Sequence, residues 1–141
     1  MVEFGPILCD HSGMRPTALI VDDHAAFRAS AKTLLQDEGF QVVGEAGDGR
    51  SGLELARALD PDLVLLDVAL PDADGFQILE RIRSNQKILK IPVIMMTGKS
   101  EVTDVARGLS LGADGYVTKP FKISGLVAAV NTVLGIDQAS S

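Results

Sequence analysis

The sequence contains no tryptophan, one tyrosine and one cysteine, and aromatic residues make up only 4% of its 141 residues. A lone cysteine, Cys9, excludes an intrachain disulfide framework. It fits a reducing compartment, so the expected location is the cytoplasm. Basic residues are also in the minority, 13 Lys and Arg against 19 Asp and Glu, for a net charge of −6. That balance argues against nucleic acid as a direct partner, which would call for a basic face. No apolar run is long enough to span a membrane. The opening MVEFGPILCDHSG lacks the basic region and long apolar core of a signal peptide. There are two histidines, His11 and His24. They do not pair in sequence, so His24 reads as a surface or helix-start residue and not as a metal ligand.

A chain of this length fits one domain and buries roughly 68–70% of its unfolded surface, so no disulfide or metal staple is needed. Residues 1–15 show no period and contain Gly5, Pro6 and Gly13; they read as a flexible leader. Residues 16–136 read as the folded domain and 137–141 as a short tail. Within the domain, apolar runs alternate with amphipathic stretches. The strand-like runs are Thr17–Val21, Phe40–Ala46, Asp62–Leu66, Ile91–Thr97 and Asp114–Thr118. Helical periods lie between and after them. Val102, Val105, Ala106 and Leu109 share one face, as do Leu126, Val130, Val133 and Leu134, and as do Gly75, Ile78, Leu79 and Ile82. Weaker periods run from Phe27 to Leu34 and through Leu53, Ala56 and Leu59. Asp74 and Ser100 are expected N-caps, and Gly39, Gly112 and Gly135 expected helix stops. Five strand–helix repeats predict an α/β fold, a doubly wound parallel sheet with helices on both faces. Ligands in such sheets bind at the carboxyl ends of the strands.

Those ends carry the chemistry. The first strand runs into Asp22 and Asp23. The third runs into Asp67, in LVLLDVALPDADGF. The fourth ends at Thr97-Gly98, and the fifth at Thr118-Lys119-Pro120. Taken singly, each has an ordinary reading: Asp67 as a cap or turn, Asp22-Asp23 as a solvated helix start, Thr97 as a strand-end residue, Lys119 as a loop lysine. The topology gathers them into one crevice. Two carboxylates about 4 Å apart repel by roughly 4 kcal/mol at an effective dielectric near 20, so a cation is expected among them. Oxygen ligands favour a hard ion, Mg²⁺ first, with Mn²⁺ or Ca²⁺ as alternatives. A carboxylate in such a pocket can accept a phosphoryl group. The transferring group then needs cations and donors on its equatorial oxygens, roles open to the metal, Lys119, the Thr97 hydroxyl and backbone amides.

At this point the sequence resembles the receiver domain of bacterial two-component response regulators, from about Arg15 to Gly135. The motifs are VDDH at 21–24, LLDVALPDADGF at 65–76, MMTG at 95–98 and YVTKPF at 116–121. Asp67 follows Asp23 by 44 residues, and Thr97 and Lys119 follow Asp67 by 30 and 52. The resemblance implies a flavodoxin-like sheet in the order 2-1-3-4-5. It implies Asp67 as phospho-acceptor, with Mg²⁺ held by Asp22, Asp23, Asp67 and the backbone carbonyl of Ala69. It implies Lys119 on the phosphoryl group, preceding a cis peptide to Pro120, and Thr97 with Tyr116 as the switch pair. The implied donor is a histidine kinase or phosphotransfer protein. The implied output is a change in the surface of the fourth helix, fifth strand and fifth helix, read by a protein partner or by a second copy. Neither direct nucleic-acid binding by this domain nor membrane contact is expected. Loss of the group by slow self-hydrolysis is implied, with Ala69 and Lys99 flanking the pocket where such domains tune that rate. Lys122 and Gly125 stand where acidic helix-start residues are common in the family. The VDDH and VGEAGDG stretches are similar to receivers joined to a helix-turn-helix domain, so the alternatives are a stand-alone receiver and the N-terminal part of a DNA-binding regulator. Three others compete. A haloacid-dehalogenase-type phosphatase would carry an Asp at position 69, where Ala stands. A flavodoxin-like cofactor binder would need a phosphate cradle after the first strand, where Asp22-Asp23-His24 stands. The third is a receiver-like interaction module that is never phosphorylated.

Overall fold

In the computed structural model, residues 15–97, 102–118 and 123–134 are described. The elements run β1 (Thr17–Val21), α1 (Ala25–Asp37), β2 (Gln41–Ala46), α2 (Gly49–Leu59), β3 (Leu63–Asp67), α3 (Gly75–Ser84), β4 (Val93–Thr97), α4 (Val102–Ser110), β5 (Gly115–Thr118) and α5 (Ile123–Leu134). The five strands form one parallel sheet in the order β2-β1-β3-β4-β5, the expected doubly wound arrangement.

Strand alternation splits the core in two. Ala18, Ile20, Leu63, Leu65, Ile94 and Met96 face one side, against Ala31 and Leu35 of α1 and Leu126 and Val130 of α5. Leu19, Val21, Val64, Leu66, Val93 and Met95 face the other, against Ala56 of α2 and Phe76, Ile78, Leu79 and Ile82 of α3. Both faces of β1, β3 and β4 are therefore dry. That is why these strands read as unbroken apolar runs rather than as alternating ones.

Local chemistry sets the helix ends. Asp74 and Gln77 close a reciprocal capping box on α3, as the sequence leads one to expect of Asp74. Gly39 and Gly112 adopt φ of +97° and +104°, left-handed turns that only glycine enters cheaply. Ser100 and Gly135 lie outside the described residues.

Strand bounds differ from expectation by one or two residues. Phe40 is buried but precedes β2, and β3 extends through Asp67. Ile91 and Asp114 fall before β4 and β5, because they belong to a polar knot around Arg83. Its guanidinium donates to the carbonyls of Gly112, Leu89 and Ile91 at 2.8–3.0 Å and to Asp114 Oδ2 at 2.6 Å. The same Asp114 oxygen accepts from the Val93 amide.

One helix departs from its sequence period. Ala106 is exposed and Leu109 is 52% exposed, so these two members of the expected α4 core face point outward. Among the residues of α4 whose side chains are described, Gly108 is the buried one. A Cβ there would lie 2.8 Å from Tyr116 Cε2 and 3.3 Å from Phe76 Cε1. The helix thus approaches through its smallest residue to make room for two rings, which a hydrophobicity period cannot register. Leu59, at the end of α2, is likewise 40% exposed.

Candidate functional site

The carboxyl ends of β1 and β3 are adjacent because these strands pair directly, Val21 opposite Leu66. Asp22 and Asp23 leave β1 and Asp67 closes β3. Asp22 is fully buried and Asp67 is 4% exposed, whereas Asp23 and His24 are exposed. One donor atom each from Asp22, Asp23, His24 and Asp67 can be chosen so that all four lie within 4.8 Å of one another. The three predicted carboxylates are therefore together, as the topology requires.

Asp22 and Asp67 are held by the backbone around them. The Asp22 amide donates to the Ala46 carbonyl at 2.9 Å, extending the β1–β2 ladder one residue. Asp22 Oδ1 accepts from the His24 amide at 2.8 Å. Arg28, in α1, donates to the Asp22 carbonyl at 2.5 Å and reaches Glu45 at 3.3 Å. Asp67 Oδ1 accepts from the Ala69 amide at 3.2 Å, and the Val68 amide binds the Met96 carbonyl. The loop after Asp67 is drawn back on itself, with Ala69 bridging antiparallel to Asp74 and the Gly75 amide donating to the Val68 carbonyl at 2.7 Å.

Thr97 ends β4, next to β3, and is buried. Tyr116 lies on β5 opposite Met95, its ring against Gly108 of α4. Above the Phe76 ring sits the Arg107 guanidinium, 4.5 Å from the centroid, and Arg107 also reaches Asp74 at 3.6 Å. Lys119, with Gly98, Lys99, Pro120, Phe121 and Lys122, lies outside the described residues.

Two features were not legible in the sequence. His24 is a helix-start residue, as expected, being the N-cap of α1, but its side chain makes no cap. The imidazole Nδ1 turns to Asp23 Oδ1 at 3.0 Å and Asp22 Oδ1 at 3.4 Å, pairing the ring with both carboxylates. Its adjacency to Asp22-Asp23 is visible in the sequence, but which way the ring turns is not. Asp72 was also missed. Its carboxylate accepts from the amides of Gly49 at 2.7 Å and Arg50 at 3.1 Å, tying the loop after β3 to the first turn of α2. Those two amide bonds, Gly49 first, hold its carboxyl below the usual carboxylate range. No local pattern marks a carboxylate that caps a helix 22 residues upstream.

A family model of the response regulator receiver domain matches residues 18–131. The chain belongs to that family. It is 39% identical over 119 residues to the DNA-binding dual master transcriptional regulator RpaA of Synechocystis, covering 84% of this chain and 49% of that protein. It is 40% identical over 121 residues to the DNA-binding response regulator MtrA of Mycobacterium tuberculosis, covering 86% and 51%. The chain thus spans about half the length of the curated relatives it matches. The solved structure of the Vibrio cholerae chemotaxis protein CheY4 superposes with a TM-score of 0.79 at 30% identity, covering 84% of this chain and 98% of that one. The receiver is a signalling module, and its flavodoxin-like fold is that of its family. Since the relatives are named as DNA-binding, the exclusion of nucleic acid drawn from net charge is not supported. Among the described residues no helix is long and apolar enough to cross a membrane.

Proposed function

We propose that this receiver accepts a phosphoryl group on Asp67 from a histidine kinase or phosphotransfer protein in the cytoplasm, and that residues 16–136 are the unit that does so. The observation that carries the reading is the convergence of Asp22, Asp23 and Asp67, two of them buried, at neighbouring strand ends. Buried carboxylates this close are costly unless a cation joins them. An all-oxygen set suits Mg²⁺, with Mn²⁺ as substitute. Asp22, Asp23, Asp67 and the Ala69 carbonyl would hold it, and when bound it would neutralise charge on the phosphoryl oxygens.

The chain's own groups do the rest. Asp67 is the nucleophile: its carboxylate oxygen forms the new bond to phosphorus as the bond to the donor breaks. The Ala69 amide, already on Asp67 Oδ1, fixes the carboxylate's orientation. Lys119 is assigned to a phosphoryl oxygen and the Thr97 hydroxyl to another. Movement of Thr97 towards that oxygen would open space for Tyr116, whose ring meets α4 at Gly108. A local charge event would thereby bias the packing of α4, β5 and α5, the surface offered to a protein partner or to a second copy. Ala69 offers no carboxylate for turnover, which supports a signalling role over that of a phosphatase.

The test is intact mass after incubation with Mg²⁺ and acetyl phosphate. One added phosphoryl group on the wild type is expected, absent without Mg²⁺ and absent in Asp67→Asn. Labelling retained by Asp67→Asn would move the site elsewhere. A folded wild type that gives no adduct and releases no phosphate would favour the unphosphorylated interaction module.

A further inference from the structure

We propose that the groove between α2 and α3 docks a short amphipathic helix of a partner protein, apolar where it meets the groove lining and acidic where it meets Arg57, Arg81 and Lys87. This surface lies away from the acidic pocket, and the inference does not rest on phosphoryl transfer to Asp67.

The two helices lie side by side on one face of the sheet, and a groove of about 930 Å³ runs between them, a volume typical of sites that enclose a ligand. Half-buried Leu53 and Ala73 and buried Ile78 give it an apolar lining. Its charges are unevenly matched. Near the start of α2, Arg50 pairs with Glu54 at 3.8 Å, and the Asp72 carboxylate is engaged by the Gly49 and Arg50 amides. At the other end, Arg57 and Arg81 occupy the last turns of α2 and α3, and Arg57 lines an adjoining recess with Lys87. All three cations are exposed, and among the described residues none of them has an ion pair. Glu80 is the remaining carboxylate of the lining. Three cations thus face one carboxylate, in a chain whose net charge is −6.

Each arginine offsets the dipole of its own helix, but three like charges at one end repel one another. Carboxylates placed among them relieve that repulsion. The apolar lining beside the charges suits a helix with one apolar face, the mode in which a groove reads anchors at i, i+3, i+4 and i+7. A nucleic-acid strand fits less well, because Glu54, Asp72 and Glu80 interrupt the groove with negative charge. A second copy docked groove to groove about a two-fold axis would set the cations against themselves. In this doubly wound sheet the helices run back against the parallel strands, so the cations lie at the end of the fold opposite Asp67. The partner therefore has access whether or not Asp67 carries a phosphoryl group.

Fluorescence anisotropy tests this on the unphosphorylated full chain at low salt, where the outcome is independent of chemistry at Asp67. The probe is a dye-labelled peptide of 11 residues, the length of α2, with Leu at i, i+3, i+4 and i+7 and Glu elsewhere. The net charge of −6 repels such a peptide, so its binding reports local complementarity. Saturable binding is expected, weakened by added salt, with amide shifts concentrated in α2 and α3. The same peptide with Ser for Leu should bind at least about 10-fold more weakly, the contribution of a single buried leucine. Arg57→Gln/Arg81→Gln exchanges two exposed side chains for another helix former and should bind the acidic peptide at least about threefold more weakly, as for two exposed ion pairs. Lys32→Gln/Arg107→Gln removes the same charge elsewhere and should bind within about twofold of the wild type. No saturable binding, shifts outside α2 and α3, equal binding of the Ser peptide, or an affinity unchanged in Arg57→Gln/Arg81→Gln overturns the proposal. Tighter binding of oligothymidylate through the same two arginines would make the groove a nucleic-acid track and overturn it as well.

Discussion

Gly75 opens α3 directly behind the carboxyl end of β3, and its substitution by alanine is the sharpest test of how tightly that end is built. A Cβ at position 75 would fall onto the Asp67 carbonyl oxygen and come 2.8 Å from Val68 Cα. Both obstacles are backbone, and the Gly75 amide already binds the Val68 carbonyl at 2.7 Å, so neither can swing aside as a side-chain tip would. Overpacking of this kind costs about 3 kcal/mol, the upper end of the usual range. Alanine returns about 1 kcal/mol of helix propensity, which leaves a net loss of about 2 kcal/mol. With a urea slope of about 2 kcal/mol/M, the unfolding midpoint should fall by about 1 M. Gly125 in α5 is the control, because an added Cβ there meets nothing within 4 Å. Gly125→Ala should therefore raise the midpoint, by up to about 0.5 M. The same chemical change is predicted to have opposite signs at two helix positions. A Gly75→Ala midpoint equal to or above the wild type would refute the packing argument.

Two further perturbations probe parts of the frame that the sequence did not advertise. Arg83→Met removes the donor to three carbonyls and to Asp114. At about 1 kcal/mol per stranded acceptor, and with the half-exposed ion pair counted for little, the loss should be about 2–3 kcal/mol. Calorimetry should then show Tm lower by roughly 5–10 °C, and a drop of less than about 2 °C would mean that the knot is not stabilising. The carboxyl of Asp72 has its pKa depressed below the ordinary value of 3.8 by the Gly49 and Arg50 amides. Its contribution is therefore fully present above that value and is lost as pH falls through it towards the folded-state pKa. The stability gap between wild type and Asp72→Asn, read by urea titration, should shrink as pH falls from 6 to 3. A gap that widens with acid would contradict the assigned bonds.

Much of this protein follows from its sequence alone. Unbroken apolar runs such as ALIV and LVLL can be satisfied only by strands covered on both faces, so the parallel sheet, and with it the meeting of Asp22, Asp23 and Asp67 at the strand ends, follow from patterning. The Asp74 cap and the turns at Gly39 and Gly112 are legible because their causes lie within a few residues. What the tertiary structure decided has causes that are distant in the chain. The α4 helix turns Gly108 inward and leaves Leu109 exposed because the Tyr116 and Phe76 rings occupy the space beneath it. Asp72 fastens a helix 22 residues upstream. His24 joins the acidic cluster because the Asp22 carboxylate takes its amide and its own ring is left to turn over the pair. Periodicity reports which side of an element is apolar, but which neighbour arrives there, and how closely, is settled only when the elements pack.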